Sequence, residues 1–182
     1  TQTVPLPLAA GLSSRAISVS SLSKTDGVPG IRFGWIASAD KDLMSRLLAV
    51  KEQVVLTGSV LDEAVGYHVL QRRVTYLPAL KTSLAARFAV VQRWLLDHAH
   101  LEWVAPTGGV TGLPRIRDVE AVDPAVFHRV LRADHAVWVG PGSWFDLDLR
   151  YFRIGWGWPD EDELRRGLEA VDASLAEAAR RS

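Results

Sequence analysis

Two serines, a lysine and an arginine stand close together in the stretch SVSSLSKTDGVPGIRFGW, residues 18–35: Ser21, Ser23, Lys24 and Arg32. A lysine that acts as a nucleophile near neutral pH must give up its proton part of the time. A nearby fixed cation and partial desolvation both favour that loss, and Arg32, eight residues on, is the candidate cation. Read as part of an apolar strand, the same arginine asks for an anion, because a charge buried without a partner is strongly unfavourable. A phosphate suits the surroundings, since the hydroxyls of Ser21 and Ser23 and the guanidinium fork of Arg32 can all donate to its oxygens. Gly27, Pro29 and Gly30 would shape the connecting turn without bulky side chains. Taken singly, each charged residue has a plainer reading, a solvated lysine and an arginine paired with a carboxylate.

The elements that must position these groups follow from the apolar pattern. Residues 16–19 and 31–37 read as two buried strands, which places Lys24 on the loop 21–30 between them. Leu43, Leu47, Leu48 and Val50 have helical spacing, so 39–56 reads as a helix with Ser38 or Asp40 near its cap, and a second helix follows over 59–73. Leu80, Leu84, Ala85, Phe88, Val91 and Leu95 predict a long amphipathic helix over 78–100, with Pro78 in its first turn, able to connect two lobes. Short extended pieces are expected at 101–105, 113–117, 136–139 and 149–155, a helix at 124–132, and a charged amphipathic helix over 159–180. The run DEDELRR, residues 160–166, places acids at the start of that last helix, where the dipole favours them.

Composition narrows the classes. The 182 residues are 48% hydrophobic and 23% charged, ordinary for a globular protein with one substantial core. Lys plus Arg equals Asp plus Glu at 21 each, so no global field attracts nucleic acid or an anionic membrane. The absence of cysteine excludes disulfides, thiolate metal sites and cysteine nucleophiles. The first residues lack a secretory pattern and no stretch is apolar enough for a membrane span, so a cytoplasmic enzyme is the expectation. His98 and His100 are two apart, the wrong spacing for a helical metal pair, and read as surface residues. Trp144, Trp156 and Trp158 cluster around Arg153 in sequence and fit either the core or the wall of a pocket.

The stretch SLSKTDGVPGIRFGW closely resembles the pyridoxal-phosphate lysine motif of class I/II aminotransferases of fold type I, with Ser, Ser, Lys, Gly and Arg at that family's spacing. The resemblance implies that Lys24 is the Schiff-base lysine and the later proton shuttle, that Ser21 and Arg32 hold the cofactor phosphate, and that Ser23 adds to the loop. Asp26 stands where an aromatic is frequent and Phe33 where an aliphatic is usual, departures that bear on substrate class more than on cofactor. Downstream, YFRIGWG, residues 151–157, resembles the strand whose arginine grips the substrate α-carboxylate, giving that role to Arg153, and VGPGSWFD, residues 139–146, resembles the segment before it. A planar fork suits a carboxylate in two-point fashion. APTGGVTGLPRI, residues 105–116, resembles a glycine loop near the substrate, which makes Gly109 a candidate contact, although turn geometry explains Gly108 and Gly109 as well. LTGS, residues 56–59, falls where such dimers lend a hydroxyl to the neighbouring phosphate; for Ser59, helix capping is the plain reading.

The expected architecture is α/β: residues 1–98 as the later part of a fold type I large domain, including a long interdomain helix, and residues 99–182 as a small C-terminal domain. The expected activity is transfer of an amino group between an amino acid and a 2-oxo acid with pyridoxal 5′-phosphate, in a homodimer with active sites at the subunit interface. Other chemistry on the same site (lyase, cyclase, decarboxylase or oxidase) and a non-catalytic binding module are the competing expectations. The family's earlier segments, a glycine-rich phosphate loop, a ring-stacking aromatic, an asparagine and an aspartate for the ring nitrogen, do not fit within the 23 residues before Lys24. The chain is therefore expected to be the C-terminal part of a longer enzyme whose first half lies elsewhere.

Overall fold

The computed structural model describes residues 7–96 and 98–181, which form two compact units, one ending at Ala79 and one starting at Leu80. In the first unit, β1 (Ile17–Ser21) runs into a single helical turn, α1 (Leu22–Thr25), and β2 (Gly34–Ser38) returns antiparallel to β1. The register runs from Ile17 opposite Ser38 to Ser21 opposite Gly34. Helix α2 (Lys41–Val54) follows, with Asp40 as its cap: the carboxylate accepts the Leu43 N–H at 2.9 Å. Ser59 does the same for α3 (Val60–Gln71), accepting from the Asp62 N–H at 3.2 Å. A break at Arg72 separates α3 from α4 (Arg73–Leu95).

Three sequence expectations change here. Strand β2 starts at Gly34, so Arg32 lies in the preceding loop, exposed, with Nη1 donating to the Pro29 carbonyl at 3.0 Å. The ladder stops there because the chain turns into α1 after Ser21, leaving only the Leu22 N–H to meet the Phe33 carbonyl at 3.2 Å. Lys24 accordingly sits on a helical turn rather than an open loop. Helix α4 begins at Arg73 and ends at Leu95, so Pro78 lies in its second turn and cannot supply the N–H that the Val74 carbonyl would ordinarily receive.

Apolar side chains of this unit are largely uncovered. Leu22 is fully buried, whereas Val19, Val54, Leu56, Val60, Leu61 and Val74 are each more than 70% exposed. A two-stranded hairpin is marginal by itself, and this is more apolar surface than a small globular unit ordinarily leaves exposed.

The second unit is built on short strands: β3 (Leu101–Glu102), β4 (Thr111–Gly112), β5 (Arg115–Ile116), then α5 (Pro124–Ala133), β6 (Gly140–Pro141), β7 (Phe152–Gly155) and α6 (Glu161–Arg181). Strand β7 is central, flanked by β4 and β6, while β3 pairs with β5. Residues 136–139 are not a strand: Ala136 takes a left-handed φ of 53°, and pairing begins only at Gly140. Along β7, Phe152 and Ile154 face inward and Arg153 outward, the period-2 alternation of a half-buried strand. The inward face joins Trp156, Phe127 and Leu131 of α5, Val91 and Leu95 of α4, and Leu164, Leu168, Val171 and Leu175 of α6 in one core.

Helix α6 is held at its start by a reciprocal cap: Asp160 accepts the Glu163 N–H at 2.8 Å while Glu163 accepts the Asp160 N–H at 3.0 Å. His98 is not a surface residue. Its Nδ1 accepts the N–H groups of His100 and Leu101, each at 3.1 Å, and its Nε2 meets Asp172 at 3.0 Å, fixing the end of α4 to α6. No described helix is long and apolar enough to cross a membrane.

Candidate active site

Helix α1 is four residues long, too short to be stable alone, so its orientation comes from its neighbours. Ser21 stands at its N-cap, but its side chain makes no capping bond. Ser23 and Lys24 lie on the turn, Ser21 and Ser23 half-buried and Lys24 exposed. Among the described residues nothing engages the Ser21 and Ser23 hydroxyls or the Lys24 amine. Two hydroxyls and an amine thus remain available within four residues. The Leu22–Phe33 hydrogen bond brings the main chain next to Arg32 alongside the start of the turn. An amine, two hydroxyl donors and a guanidinium could take a phosphorylated aldehyde, the amine on the carbonyl carbon and the other three on phosphate oxygens.

Asp26, which departs from the resembled motif, has its carboxylate fully buried. Its Oδ1 accepts from Arg73 Nε at 2.8 Å and from the Tyr76 hydroxyl at 2.7 Å, both on α4, and its Oδ2 is hydrogen-bonded to the Thr25 hydroxyl. Burial alone would push this carboxyl up, but the hydroxyls of Thr25 and Tyr76 and the guanidinium of Arg73 hold it below the ordinary carboxylate value. The Tyr76 phenol is pushed up to about 12, by burial and by the adjacent carboxylate. Asp26 is thus fully used within the fold. Arg73 and Tyr76 were not signalled by the sequence, lying 47 and 50 residues away.

In the second unit Arg153 is exposed on the outer face of β7, opposite Gly140 of β6. Its guanidinium lies 5.7 Å from the Trp144 ring centre and 5.9 Å from that of Phe145. Both rings come from the 3-10 turn Gly142–Phe145. No carboxylate among the described residues pairs with Arg153, so an arginine flanked by aromatic faces remains free to bind an anion. The three tryptophans separate clearly: Trp156 is in the core against Phe88 and Trp103, Trp158 is exposed, and only Trp144 stands beside Arg153.

Gly109 has a φ of 89° and lies in the bend before β4, whose pairs with β7, Thr111–Gly155 and Gly112–Ile154, include neither Gly109 nor Arg153. Thr57 lies exposed in the α2–α3 connection.

Gly142 sets the turn that carries both rings. A Cβ there would overlap the Asp148 carbonyl oxygen and come within 3.0 Å of Tyr151. Gly142→Ala is expected to lower stability by about 1–3 kcal/mol, the range for overpacking against atoms that cannot move aside. Thermal unfolding measures this, and an unchanged melting temperature would contradict the tight-turn account.

The family profile described as aminotransferase class I and II matches residues 3–171. The chain is 32% identical over 167 residues to capreomycidine synthase of Streptomyces vinaceus, covering 91% of this chain and 42% of that protein. It is 27% identical over 179 residues to aspartate aminotransferase of Rhizobium meliloti strain 1021, covering 93% of this chain and 43% of that one. The solved structure of a PLP-dependent aminotransferase from Streptococcus suis superposes with a TM-score of 0.79 at 27% identity, over 89% of this chain and 42% of the other. The chain spans less than half the length of these relatives, and its α/β fold is the later portion of a fold type I PLP-dependent enzyme. Sequence profile and fold agree: the chain belongs to the aminotransferase class I and II family, whose cofactor is pyridoxal 5′-phosphate.

Proposed function

We propose that the complete protein containing this chain is a pyridoxal-phosphate-dependent aminotransferase, moving an amino group between an amino acid and a 2-oxo acid. The observation that carries this reading is the α1 turn, where an unengaged amine at Lys24 stands beside the unengaged hydroxyls of Ser21 and Ser23. When bound, the cofactor supplies an aldehyde that reacts with amines and a conjugated ring that spreads negative charge from the substrate's α-carbon. Lys24 Nζ would hold the cofactor through its aldehyde carbon between turnovers. When not so engaged, the same nitrogen would take the proton from the substrate's α-carbon as general base and, as general acid, deliver it to the carbon that carried the cofactor's aldehyde, the shift that amino transfer requires. Ser21, Ser23 and Arg32 would hold the phosphate and so keep the cofactor in place. Arg153 grips the substrate α-carboxylate, with Trp144 and Phe145 limiting where the guanidinium can turn; Gly109 is a further candidate for substrate contact.

The remainder of the enzyme would supply the group facing the ring nitrogen and cover the exposed apolar side chains of the first unit. A homodimer in the cytoplasm completes this reading. The 32% identity to capreomycidine synthase favours a second outcome of the same α-carbon chemistry, ring closure in place of amino transfer.

A panel of nitrogen-labelled amino acids, each offered with a 2-oxo acid, separates the two. Label appearing in a new amino acid supports transamination. Label retained in a cyclic product supports the second outcome and removes the first. A protein that forms no lysine–cofactor bond at all would leave only a binding role.

A further inference from the structure

The turn that carries Lys24 is pinned at two points, one on each side of the lysine. Two residues before it, Leu22 is fully buried, its Cδ1 lying 3.3 Å from where a Cβ on Gly66 of α3 would stand. Two residues after it, the buried Asp26 carboxylate is tied to Arg73 and Tyr76 of α4. Thr25 joins the ends, since its hydroxyl lies 2.7 Å from the Ser21 carbonyl and is also hydrogen-bonded to Asp26 Oδ2. The apolar contact fixes the depth of the turn, and the Leu22 N–H to Phe33 carbonyl bond ties its start, but neither holds the end beyond Lys24. The clasp is directional, because two donors converge on one carboxylate oxygen and a third meets the other.

We propose that Asp26 is a positioning residue: clasped by Arg73 and Tyr76 and linked through Thr25, it sets the roll of the α1 turn and so the direction in which Lys24 presents its amine. This rests on the reading of Lys24 as the residue that bonds the cofactor. A buried ion pair is weak evidence for stability, since an apolar pair of similar size often serves as well. What an apolar pair cannot supply is a fixed hydrogen-bond direction, and Arg73 is 43% exposed, so solvation would release it readily were the clasp lost.

The test uses the complete protein, freed of cofactor, with pyridoxal 5′-phosphate as the probe. Three quantities are followed: the rate at which the lysine-linked absorbance appears, the sign and amplitude of circular dichroism in that band, and competition by inorganic phosphate, which reports the phosphate grip alone. Asp26→Asn removes the acceptor charge, and the double variant Asp26→Leu/Arg73→Leu replaces the clasp with an apolar pair. The double variant is expected to bond the cofactor about tenfold or more slowly, the scale of a sub-ångström to ångström misplacement. Its dichroic band should be altered, while phosphate competition and melting temperature stay near those of the parent. Asp26→Asn should fall between the two.

A double variant with parental bonding rate and parental dichroism overturns the proposal, showing the clasp to be structural only. Should it fail to fold, Tyr76→Phe, which deletes one oxygen, takes its place: a slower rate with altered dichroism supports the proposal, and parental values of both overturn it. If the parent protein itself forms no link, the reading of Lys24 falls; a normal parent with unaffected variants removes Asp26 alone.

Discussion

Lys24→Ala in the complete protein is expected to abolish the lysine-linked absorbance of the cofactor and to lower turnover by about 10⁴-fold or more, since the proposed role makes one nitrogen both covalent anchor and proton carrier. The phosphate grip depends on other residues, so the cofactor should still bind, reversibly and without the link. Stability should change by no more than about 0.5 kcal/mol, as for any exposed side chain without partners. Rapid gel filtration of the loaded variant, with absorbance and activity read on the eluted protein, checks all three. Retained turnover within about tenfold of the parent would take Lys24 out of the chemistry.

The second large effect is expected at Arg153. Removing a guanidinium that forks onto a carboxylate forfeits charge-assisted hydrogen bonds of about 1.5–3 kcal/mol, so Arg153→Ala should lower kcat/KM by about 10²-fold. The rise should fall mainly on KM, with the cofactor bound as before. Arg153→Lys should recover part of the loss, because an ammonium supplies the charge but not the planar fork. Stability should fall by about 1 kcal/mol or less, the worth of an exposed stack of a cation on an aromatic ring such as Trp144. Steady-state kinetics with the best donor found in the labelled panel measures this, and an unchanged KM would refute the carboxylate assignment.

Much of the fold was legible because its helices are long and periodic. Helix α2 falls within the predicted 39–56, capped by Asp40, and α5 within one residue of its predicted 124–132. The misreadings concentrate at short elements. A four-residue helix has no period to detect, so the α1 turn read as loop. The alternation in Ile-Arg-Phe made Arg32 look like part of a strand, but pairing stops at Gly34 because its partner strand has already turned into α1. Strand β4, two residues long, carries no signal of its own.

At the candidate site, the candidate residues were visible by type and spacing, and their supports were not. Trp144 could not be told from Trp156 and Trp158 in sequence; alternation along β7 sends Trp156 inward, while the 3-10 turn brings Trp144 to Arg153. Asp26 stood out as an unusual residue without a reason. Its partners Arg73 and Tyr76 come from a helix far along the chain, and no local pattern predicts such a contact.

The central claim is that Lys24 is the residue bonded by the cofactor. Borohydride reduction of the loaded, complete protein, followed by proteolysis and mass spectrometry of the peptides, tests it most directly. The expected product is a reduced pyridoxyl adduct on Lys24 and on no other lysine. An adduct on a different lysine, or none on a fully loaded protein, would contradict it.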